Sequence, residues 1–436
     1  MVPYRSASGG LANKRRTRQL TGWWARVVVC LGLLAAGCTD SAASESGGRY
    51  ASTETTAEPQ LGSDPISETS IPETTSTSQV PDRVEEILAS LTLEEKVGQV
   101  LVPVVFGTSA NNVSNAARQS NLAAFGVGTP AEVVDAFKLG GVIYLEHNIE
   151  SAHQVGQLSA DLQSSVSGGS GIGLLVAVDQ EGGRVNRITD GVTVFPPASL
   201  LSGDPTAVRE AGYLTGRQVK LQGVNVVLAP VADLNHPGSQ GAIGNRSYGD
   251  DPDLVSEMVV AAVDGLQEAG VAAAVKHWPG HGPTEVDSHK SLPSLTISQA
   301  EWESRDRLPF AAAIESDVSI VLVGHLSMPS IDPSGAPATA SPVLMQQLLR
   351  EGLGFDGVVI TDAMNMGALG KLDPRTMAVS AVKSGADIVL MPPDLPLAHR
   401  ALVSAAGSGE LSPQRLDDAV RRVLRLKADL GLLPPR

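Results

Sequence analysis

Residues 271–282 read Val-Ala-Ala-Ala-Val-Lys-His-Trp-Pro-Gly-His-Gly, an uninterrupted apolar run that turns polar at Lys276 and His277. An apolar run of this length without polar alternation is typical of a parallel strand that is buried on both faces. Glycine and proline then break the strand, and the loop that follows carries Asp287 and His289, whose polar groups we expect to face a ligand. The fold follows from how often this arrangement recurs along the chain.

Seven further runs share this aliphatic and β-branched character, and longer amphipathic segments separate them. They are residues 100–105, 141–145, 174–178, 224–229, 318–323, 358–361 and 388–391. Several intervening segments start with a capping side chain and a first-turn proline, which is a helix start signal. These pairs are Thr129-Pro130, Asp204-Pro205, Asp251-Pro252, Ser341-Pro342 and Asp373-Pro374. We therefore predict an α/β fold, a (β/α)8 TIM-type barrel forming one domain over residues 81–436, with a doubly wound open sheet as the alternative.

Charged or histidine side chains stand at or just after the ends of five predicted strands. They are Asp179, Asp233, Lys276 with His277, His325, and Asp362. A lone aspartate after a strand often does no more than close an Asx turn. Barrel enzymes, however, build their active sites from several strand ends at once, at the C-terminal rim. The repeated placement therefore favours the barrel over the open sheet and predicts an active site at that rim.

The first 38 residues carry six Lys or Arg residues and no Asp or Glu, and their apolar run, 27–36, is too short to span a membrane. This pattern predicts a secretory signal peptide. Its end, Leu-Leu-Ala-Ala-Gly-Cys at residues 33–38, resembles a bacterial lipobox. We therefore predict lipidation of Cys38, with ordinary cleavage and release as the alternative. Arg15-Arg16 leaves open a twin-arginine export signal.

Residues 39–80 are rich in Ser, Thr, Glu, Gly and Pro and have almost no large apolar side chains. Such a segment cannot offset its ordering entropy by burial, so we interpret it as a disordered tether. We expect the domain to be exported and held at the outer face of the cytoplasmic membrane, next to the cell wall. The net charge of -15 argues against nucleic acid as a partner, because the domain concentrates no basic patch.

The sequence predicts no cofactor. It has neither a P-loop nor a dinucleotide-binding glycine motif after a strand. Its two cysteines, Cys30 and Cys38, both precede the domain, which leaves no thiolate site. His277, His281 and His289 are of the type that ligates zinc, but their loop lacks helical His-Glu-x-x-His geometry. We therefore expect no metal.

Asp362 is the candidate nucleophile. A polar cleft with two separable carboxylates and no metal suggests glycoside hydrolysis, in which one group attacks the anomeric carbon and another protonates the leaving oxygen. Asp362 follows the apolar run 358–361, which would aim it at the rim. Lys276 or Arg246 would hold it ionised.

His289 is the candidate acid. Asp287 lies two residues away and would stabilise the imidazolium and fix the ring, as the aspartate of a catalytic triad does. The alternative is a capping turn that carries a surface histidine.

Several motifs, in this order, resemble glycoside hydrolase family 3, and most closely its bacterial β-N-acetylglucosaminidases that act on peptidoglycan fragments. They are residues 92–99 (TLEEKVGQ), 179–185 (DQEGGRV), 245–249 (NRSYG), 276–282 (KHWPGHG), 287–289 (DSH) and 361–364 (TDAM). Trp278 stands where Phe is commoner, and Ala363 removes an acidic neighbour of the nucleophile. Pro283 replaces a usual Asp or Asn and would stiffen the loop.

The resemblance implies a retaining exo-β-N-acetylglucosaminidase that releases terminal GlcNAc from GlcNAc-MurNAc fragments through a covalent glycosyl-enzyme. It implies that Asp362 is the nucleophile and that Asp287 and His289 form the general acid/base pair on a mobile loop. The residues that it implies for binding sugar hydroxyls in the first subsite are Asp179, Arg246, Lys276 and His277. We expect a monomer whose partners are muropeptide substrates and, through Cys38, the membrane.

Three other functions stay open at this point. A β-glucosidase or β-xylosidase of the same family would share the fold, and transfer of GlcNAc to phosphate would suit a histidine acid, which tolerates an anionic acceptor better than a carboxylate does. From a different class, the chain could be a catalytically silent lipoprotein that binds the cell wall.

Overall fold

The computed structural model describes residues 79–166, 171–236, 242–282, 284, 286–370 and 372–435. The predicted signal peptide, the lipidation site Cys38 and tether residues 39–78 lie outside the described residues, as does Pro283. The first described helix begins at Gln79, in the last two residues assigned to the tether. Among the described helices, none combines the length and the apolar character needed to cross a membrane.

The described strands are short and the helices between them longer. The strands are β1 (Leu101–Val102), β2 (Gly141–Tyr144), β3 (Leu175–Val178), β4 (Gln180–Gly182), β5 (Val185–Asn186), β6 (Val226–Val227), β7 (Ala272–Trp278), β8 (Ile320–Val323), β9 (Val358–Thr361) and β10 (Val389–Leu390). The α-helices are α1 (Gln79–Ser90), α2 (Leu93–Gln99), α3 (Asn115–Phe125), α4 (Pro130–Phe137), α5 (Ala152–Val166), α6 (Ala198–Leu201), α7 (Pro205–Lys220), α8 (Pro252–Glu268), α9 (Gln299–Ser304), α10 (Leu308–Glu315), α11 (Pro374–Ser384), α12 (Leu395–Ser408) and α13 (Pro413–Asp429). A π-helix covers Val343–Glu351, and short 3-10 turns cover Glu146–Asn148, Gly244–Arg246, Ala338–Ala340 and Gly367–Leu369.

Six strands form a parallel sheet in the order β2-β3-β6-β7-β8-β9, and β1 and β10 form a second parallel pair. The order within the six-stranded sheet follows the chain without the reversal that a doubly wound sheet requires. Single parallel bridges connect Val104 to Ile143 and Ile360 to Ile388. The molecule is therefore an α/β protein with a parallel, half-barrel sheet and helices between its strands.

The core has two layers, one on each face of the strands. In β7, Ala272 and Ala274 pack in the smaller apolar cluster, to which all eight parallel strands contribute, whereas Ala273 and Val275 pack in the larger cluster with the helices. Because side chains alternate between faces along a strand, burial on both faces requires an unbroken apolar run. This explains why the unbroken apolar run 271–275 predicts the strand.

Most predicted elements are confirmed. Each of the eight predicted runs contains a strand. All five proline-marked starts have the predicted hydrogen bond from a first-turn amide to the capping side chain, at Thr129, Asp204, Asp251, Ser341 and Asp373. Ser341-Pro342 differs only in that it leads into the π-helix and not into an α-helix.

Strand β7 is longer than predicted. It continues beyond the apolar run 271–275 to Trp278, so Lys276 and His277 belong to the strand. Lys276 pairs with Leu322 and Trp278 with Val323, with a register shift between them. This extension fixes the backbone of two predicted site residues in the sheet.

Candidate active site

The predicted site residues meet at one cavity of about 340 Å³ at the C-terminal ends of the parallel strands. All seven that lie in the described part of the chain line it: Asp179, Arg246, Lys276, His277, Asp287, His289 and Asp362. They come from the ends of four parallel strands or from the segments that follow them: Asp179 after β3, Arg246 after β6, Lys276, His277, Asp287 and His289 in or after β7, and Asp362 after β9. The structure thus brings the predicted residues together, as a C-terminal rim site requires.

A buried network of opposite charges forms the floor of this cavity. The Lys276 ammonium lies 2.9 Å from an Asp179 oxygen and 2.6 Å from a Glu181 oxygen. The Arg246 guanidinium donates two hydrogen bonds of 2.7 Å to the two Glu181 oxygens. We call Asp179, Glu181, Arg246 and Lys276 the rim cluster. Bidentate pairing of this kind fixes both position and orientation.

Glu181 and Lys276 stabilise each other in their ionised forms. Burial raises the pKa of Glu181, but Lys276 and Arg246 more than offset this and bring it to about 2. Burial likewise lowers the pKa of Lys276, and the charges of Asp179 and Glu181 outweigh that effect and raise it. Glu181 and Lys276 therefore present fixed charges at the cavity floor and do not exchange protons near neutral pH.

Sequence reasoning missed Glu181, although it stands inside the 179–185 motif. It shares Lys276 with Asp179 and takes both hydrogen bonds that the Arg246 side chain makes to described residues. Arg187, two residues beyond the motif, was also missed. It lines the cavity, pairs with Glu146, and lies 3.5 Å from Asp179. The sequence signal that could have found them is the turn Gly182-Gly183-Arg184, which lies between Glu181 and Arg187.

His277 is held by a buried aspartate that the strand-end pattern had marked but that was not assigned to the site. The Nδ1 of His277 donates to Asp233 Oδ2 at 2.6 Å, and the backbone amides of His277 and His281 donate to Oδ1 at 3.2 and 2.8 Å. Burial raises the pKa of Asp233, but the His277 ring offsets this and brings it to about 2. The ring of His277 is thus oriented with Nε2 left for a ligand.

Asp362 directly follows β9 and is partly exposed in the cavity. Its Oδ1 accepts from the Ala363 amide at 2.8 Å. Burial raises its pKa, and the rings of His277 and His325, with a smaller effect of Lys276, more than compensate and lower it. Lys276 therefore helps to keep this carboxylate ionised, as expected. Arg246, the other expected residue, donates its hydrogen bonds to Glu181.

His325, another strand-end residue, supports the segment after β9. Its Nε2 donates to the Ala363 carbonyl at 3.0 Å, and its Nδ1 lies 2.9 Å from the Thr339 hydroxyl. The ring is buried, and this burial lowers its pKa. Its hydrogen bond to the Ala363 carbonyl fixes the backbone beside Asp362.

Asp287 and His289 form the predicted pair on residues 286–290, which we call the acid/base limb. The ring Nδ1 and the backbone amide of His289 lie 2.8 and 2.9 Å from the same Asp287 oxygen. Burial raises the pKa of Asp287, but these bonds from His289 more than offset it and lower it. The His289 side chain is 70% exposed, which leaves its Nε2 open to the cavity.

The three histidines considered as zinc ligands have separate surroundings. The ring of His281 packs edge-on against that of His277, and its Nε2 lies 3.4 Å from the Ser288 hydroxyl, whereas His289 pairs with Asp287. Among the residues that the structure describes, no three His, Cys, Asp or Glu side chains are grouped so as to hold a metal ion.

Residues 92–426 match the N-terminal domain of glycosyl hydrolase family 3. The chain is 32% identical over 331 residues to β-hexosaminidase A of Pseudoalteromonas piscicida, covering 69% of this chain and 55% of that protein. It is 34% identical over 283 residues to the β-hexosaminidase of Pseudomonas aeruginosa, covering 64% of this chain and 82% of that protein.

Two solved structures show the same likeness in three dimensions. A glycoside hydrolase family 3 β-N-acetylglucosaminidase from Paenibacillus sp. has a TM-score of 0.72 and 36% identity, over 80% of this chain and 64% of that one. A β-N-acetylhexosaminidase from Beutenbergia cavernae has a TM-score of 0.68 and 27% identity, over 78% of this chain and 99% of that one. The chain thus spans little more than half of the Pseudoalteromonas relative and nearly all of the Beutenbergia one.

Proposed function

We propose that this chain is a retaining exo-β-N-acetylglucosaminidase. The premise is that the chain belongs to glycosyl hydrolase family 3 and is a glycoside hydrolase. Its homologues named β-hexosaminidase and its likeness to the Paenibacillus β-N-acetylglucosaminidase support this sugar specificity. The observation that carries the proposal is that Asp362 and the Asp287–His289 pair line one cavity, over a floor of fixed charges.

In the first step, an Asp362 oxygen attacks the anomeric carbon and forms a glycosyl ester. The bond from this carbon to the leaving oxygen breaks, and that oxygen takes the proton from His289 Nε2. In the second step, His289 Nε2 takes a proton from water, whose oxygen attacks the same carbon and displaces Asp362. Two displacements on opposite faces of the ring return the β configuration.

The rim residues would bind the sugar. Asp179, Lys276, His277 and Arg246 line the cavity beside Asp362, and we assign them to the hydroxyls of the terminal residue. The charge-assisted hydrogen bonds that such fixed ions make are stronger than neutral ones and hold the anomeric carbon in place. Arg187 belongs to the same set, because it lines the cavity beside Asp179.

The eight parallel strands would close into a complete (β/α)8 barrel. The pair β1–β10 is joined at one side to β2, through Val104 and Ile143, and at the other to β9, through Ile360 and Ile388. The Ile143 amide donates to the Pro103 carbonyl at 3.1 Å, and the Thr361 amide to the Ile388 carbonyl at 3.0 Å. These contacts support a ring of strands around the enclosed apolar cluster.

The proposed substrates are GlcNAc-MurNAc fragments of peptidoglycan, cleaved by a monomer anchored through lipidated Cys38 at the outer face of the cytoplasmic membrane. The predicted signal peptide, the resemblance of residues 33–38 to a lipobox and the predicted tether of residues 39–80 support this location. A lipid anchor followed by a long flexible segment would allow the domain to reach wall fragments.

The test is product analysis on purified muropeptides and on 4-nitrophenyl glycosides. We expect release of GlcNAc, initially as the β anomer by NMR, and a higher kcat/KM for the GlcNAc glycoside than for the glucoside or the xyloside. A faster glucoside or xyloside reaction would contradict the sugar specificity. With phosphate added, GlcNAc-1-phosphate in place of GlcNAc would identify phosphorolysis, and no turnover by a folded protein would identify a silent binder.

A further inference from the structure

Among the described residues, few hydrogen bonds connect the acid/base limb to the rest of the domain. On its N-terminal side, the chain is fixed at His281, whose amide donates to Asp233. On its C-terminal side, the next fixed point is the Pro293 carbonyl, which accepts from Ser327 at 2.8 Å. Between these points, the position of His289 depends on whatever the limb itself contacts.

Among the described residues, three hydrogen bonds tie the limb to the domain. The amides of Gly367 and Ala368, in the turn after β9, donate to the carbonyls of His289 at 3.2 Å and Ser288 at 3.0 Å. The Ser288 hydroxyl lies 3.4 Å from His281 Nε2, and Ser288 is buried although Asp287 and His289 on either side are not. The limb is thus seated on the segment that carries Asp362.

The close approach of this turn requires a residue without a side chain. A Cβ placed on Gly367 would overlap the His289 carbonyl oxygen and would lie 3.0 Å from the Lys290 carbonyl oxygen. Both obstacles are backbone atoms of the limb, so rotation of a side chain cannot relieve the overlap. Gly370, in the same turn, has no such conflict: its Cβ would meet nothing nearer than 3.4 Å.

We propose that Gly367 is a positioning residue: its missing side chain lets the turn after β9 dock the acid/base limb, which holds His289 at the same cavity as Asp362. The proposal rests on the acid/base role assigned to His289. Gly367 touches neither the substrate nor the reacting atoms, and it acts through the limb. Any side chain at this position pushes the limb away from Asp362 while leaving the nucleophile and the rim cluster in place.

The test compares Gly367→Ala with the matched control Gly370→Ala in the full-length protein. The first measurement is hydrogen exchange of the peptide that contains residues 286–290, which reports docking whether or not the enzyme cleaves GlcNAc. We expect faster exchange in Gly367→Ala and parental exchange in Gly370→Ala. Parental exchange in Gly367→Ala would overturn the proposal and leave the proposed function untouched.

The second measurement is kcat/KM for two substrates with different leaving groups. Chitobiose needs protonation of its leaving oxygen, whereas 2,4-dinitrophenyl β-GlcNAc hardly does. Since a positioned acid contributes roughly 10²–10⁴-fold, we expect Gly367→Ala to lose at least about 10-fold on chitobiose and less than about 3-fold on the dinitrophenyl glycoside. Equal losses on both substrates, or no loss, would overturn the proposal.

If Gly367→Ala does not fold, Ser288→Ala takes its place, because it removes the His281 contact without adding bulk. We expect the same leaving-group pattern with a smaller loss, together with faster exchange of residues 286–290. Parental exchange and kinetics in Ser288→Ala would then count against docking as the determinant of the position of His289.

Discussion

Two clusters of buried charge lie at opposite ends of the parallel strands, and they differ in what their carboxylates contact. The rim cluster follows the strands and lines the cavity, where Asp179 is partly exposed and Asp362 lies alongside. The second, which we call the basal cluster, surrounds Asp387 at the start of β10. It comprises Asp387, Arg350, Arg415 and Arg422.

In the basal cluster every oxygen of the carboxylate is occupied. Asp387 is fully buried, and its Oδ1 accepts from Arg415 at 2.9 Å. Its Oδ2 accepts from Arg350 and from the Val359 amide, the latter at 3.0 Å. Burial of ion pairs therefore does not by itself mark an active site. What marks the rim is its position at the strand ends together with a carboxylate, Asp362, that a ligand can reach.

The largest effect should come from Asp362→Asn, which keeps the shape of the rim and removes the nucleophile. We expect kcat/KM for 4-nitrophenyl β-GlcNAc to fall by roughly 10³-fold or more, with the melting temperature nearly unchanged. Asp190→Asn, at an exposed position, is the control and should keep parental activity. An Asp362→Asn enzyme as active as its parent would break the distinction between the two clusters.

Asp387→Asn tests the other half of the comparison. It leaves three buried or partly buried guanidinium groups without their carboxylate, which should cost about 3–5 kcal/mol of unfolding free energy. Urea denaturation measures this loss, and the folded fraction should keep its activity. Asp356→Asn, which breaks exposed pairs with Arg422 and Arg425, should cost at most about 1 kcal/mol. Equal costs for the two variants would show that the basal cluster is not a stabilising centre.

His289→Ala tests the proposed general acid on the acid/base limb. We expect kcat/KM to fall by roughly 10²–10⁴-fold on chitobiose and by much less on the dinitrophenyl glycoside. Added azide should partly restore turnover, because azide can replace water as the nucleophile of the second step without a general base. His153→Ala, at an exposed position on α5, serves as the control. Uniform losses on both substrates would contradict a proton-transfer role.

The smallest effect concerns Lys427, a fully buried lysine of α13 that donates to the Gln99 side chain at 2.7 Å. Burial lowers its pKa to about 7, below the value near 10.4 of the unfolded chain. Between these values the unfolded chain binds a proton that the native protein lacks, so stability rises with pH, by at most about 1.4 kcal/mol per unit.

Urea denaturation at pH 7 and at pH 9 measures this rise, and Lys427→Met should remove it. The conservative Lys427→Arg variant, which stays charged across the range, should also lack the rise and should be less stable than Lys427→Met. A Lys427→Met protein with the parental dependence on pH would show that other groups cause it.

The contrast between the clusters also explains what the sequence could predict. Asp179, Lys276, His277 and Asp362 each stand at the end of an apolar run, and parallel strands place these ends at one edge. That local pattern was enough to assemble most of the rim. Glu181 could not be found this way, because its contacts with Lys276 and Arg246 depend on three separate segments meeting.

No local pattern in the sequence predicts the basal cluster. Asp387 immediately precedes a strand, and Arg415 lies in the amphipathic helix α13, where a polar residue usually faces water. Their contact depends on the packing of α13 against α11 and β9, which brings Arg415 to the segment that precedes β10. The local pattern also could not predict where a strand ends. β7 reaches Trp278 because Lys276 pairs with Leu322 of β8 and the His277 amide donates to Asp233.

The most direct test of a retaining mechanism through Asp362 is trapping of the glycosyl-enzyme. The parent enzyme would be treated with 2-acetamido-2-deoxy-5-fluoro-β-glucosyl fluoride, whose ring fluorine slows the second displacement, and then digested and mapped by mass spectrometry. We expect one sugar adduct per chain, on the carboxylate of Asp362. An adduct on another residue, or complete turnover without any adduct on Asp362, would contradict the mechanism.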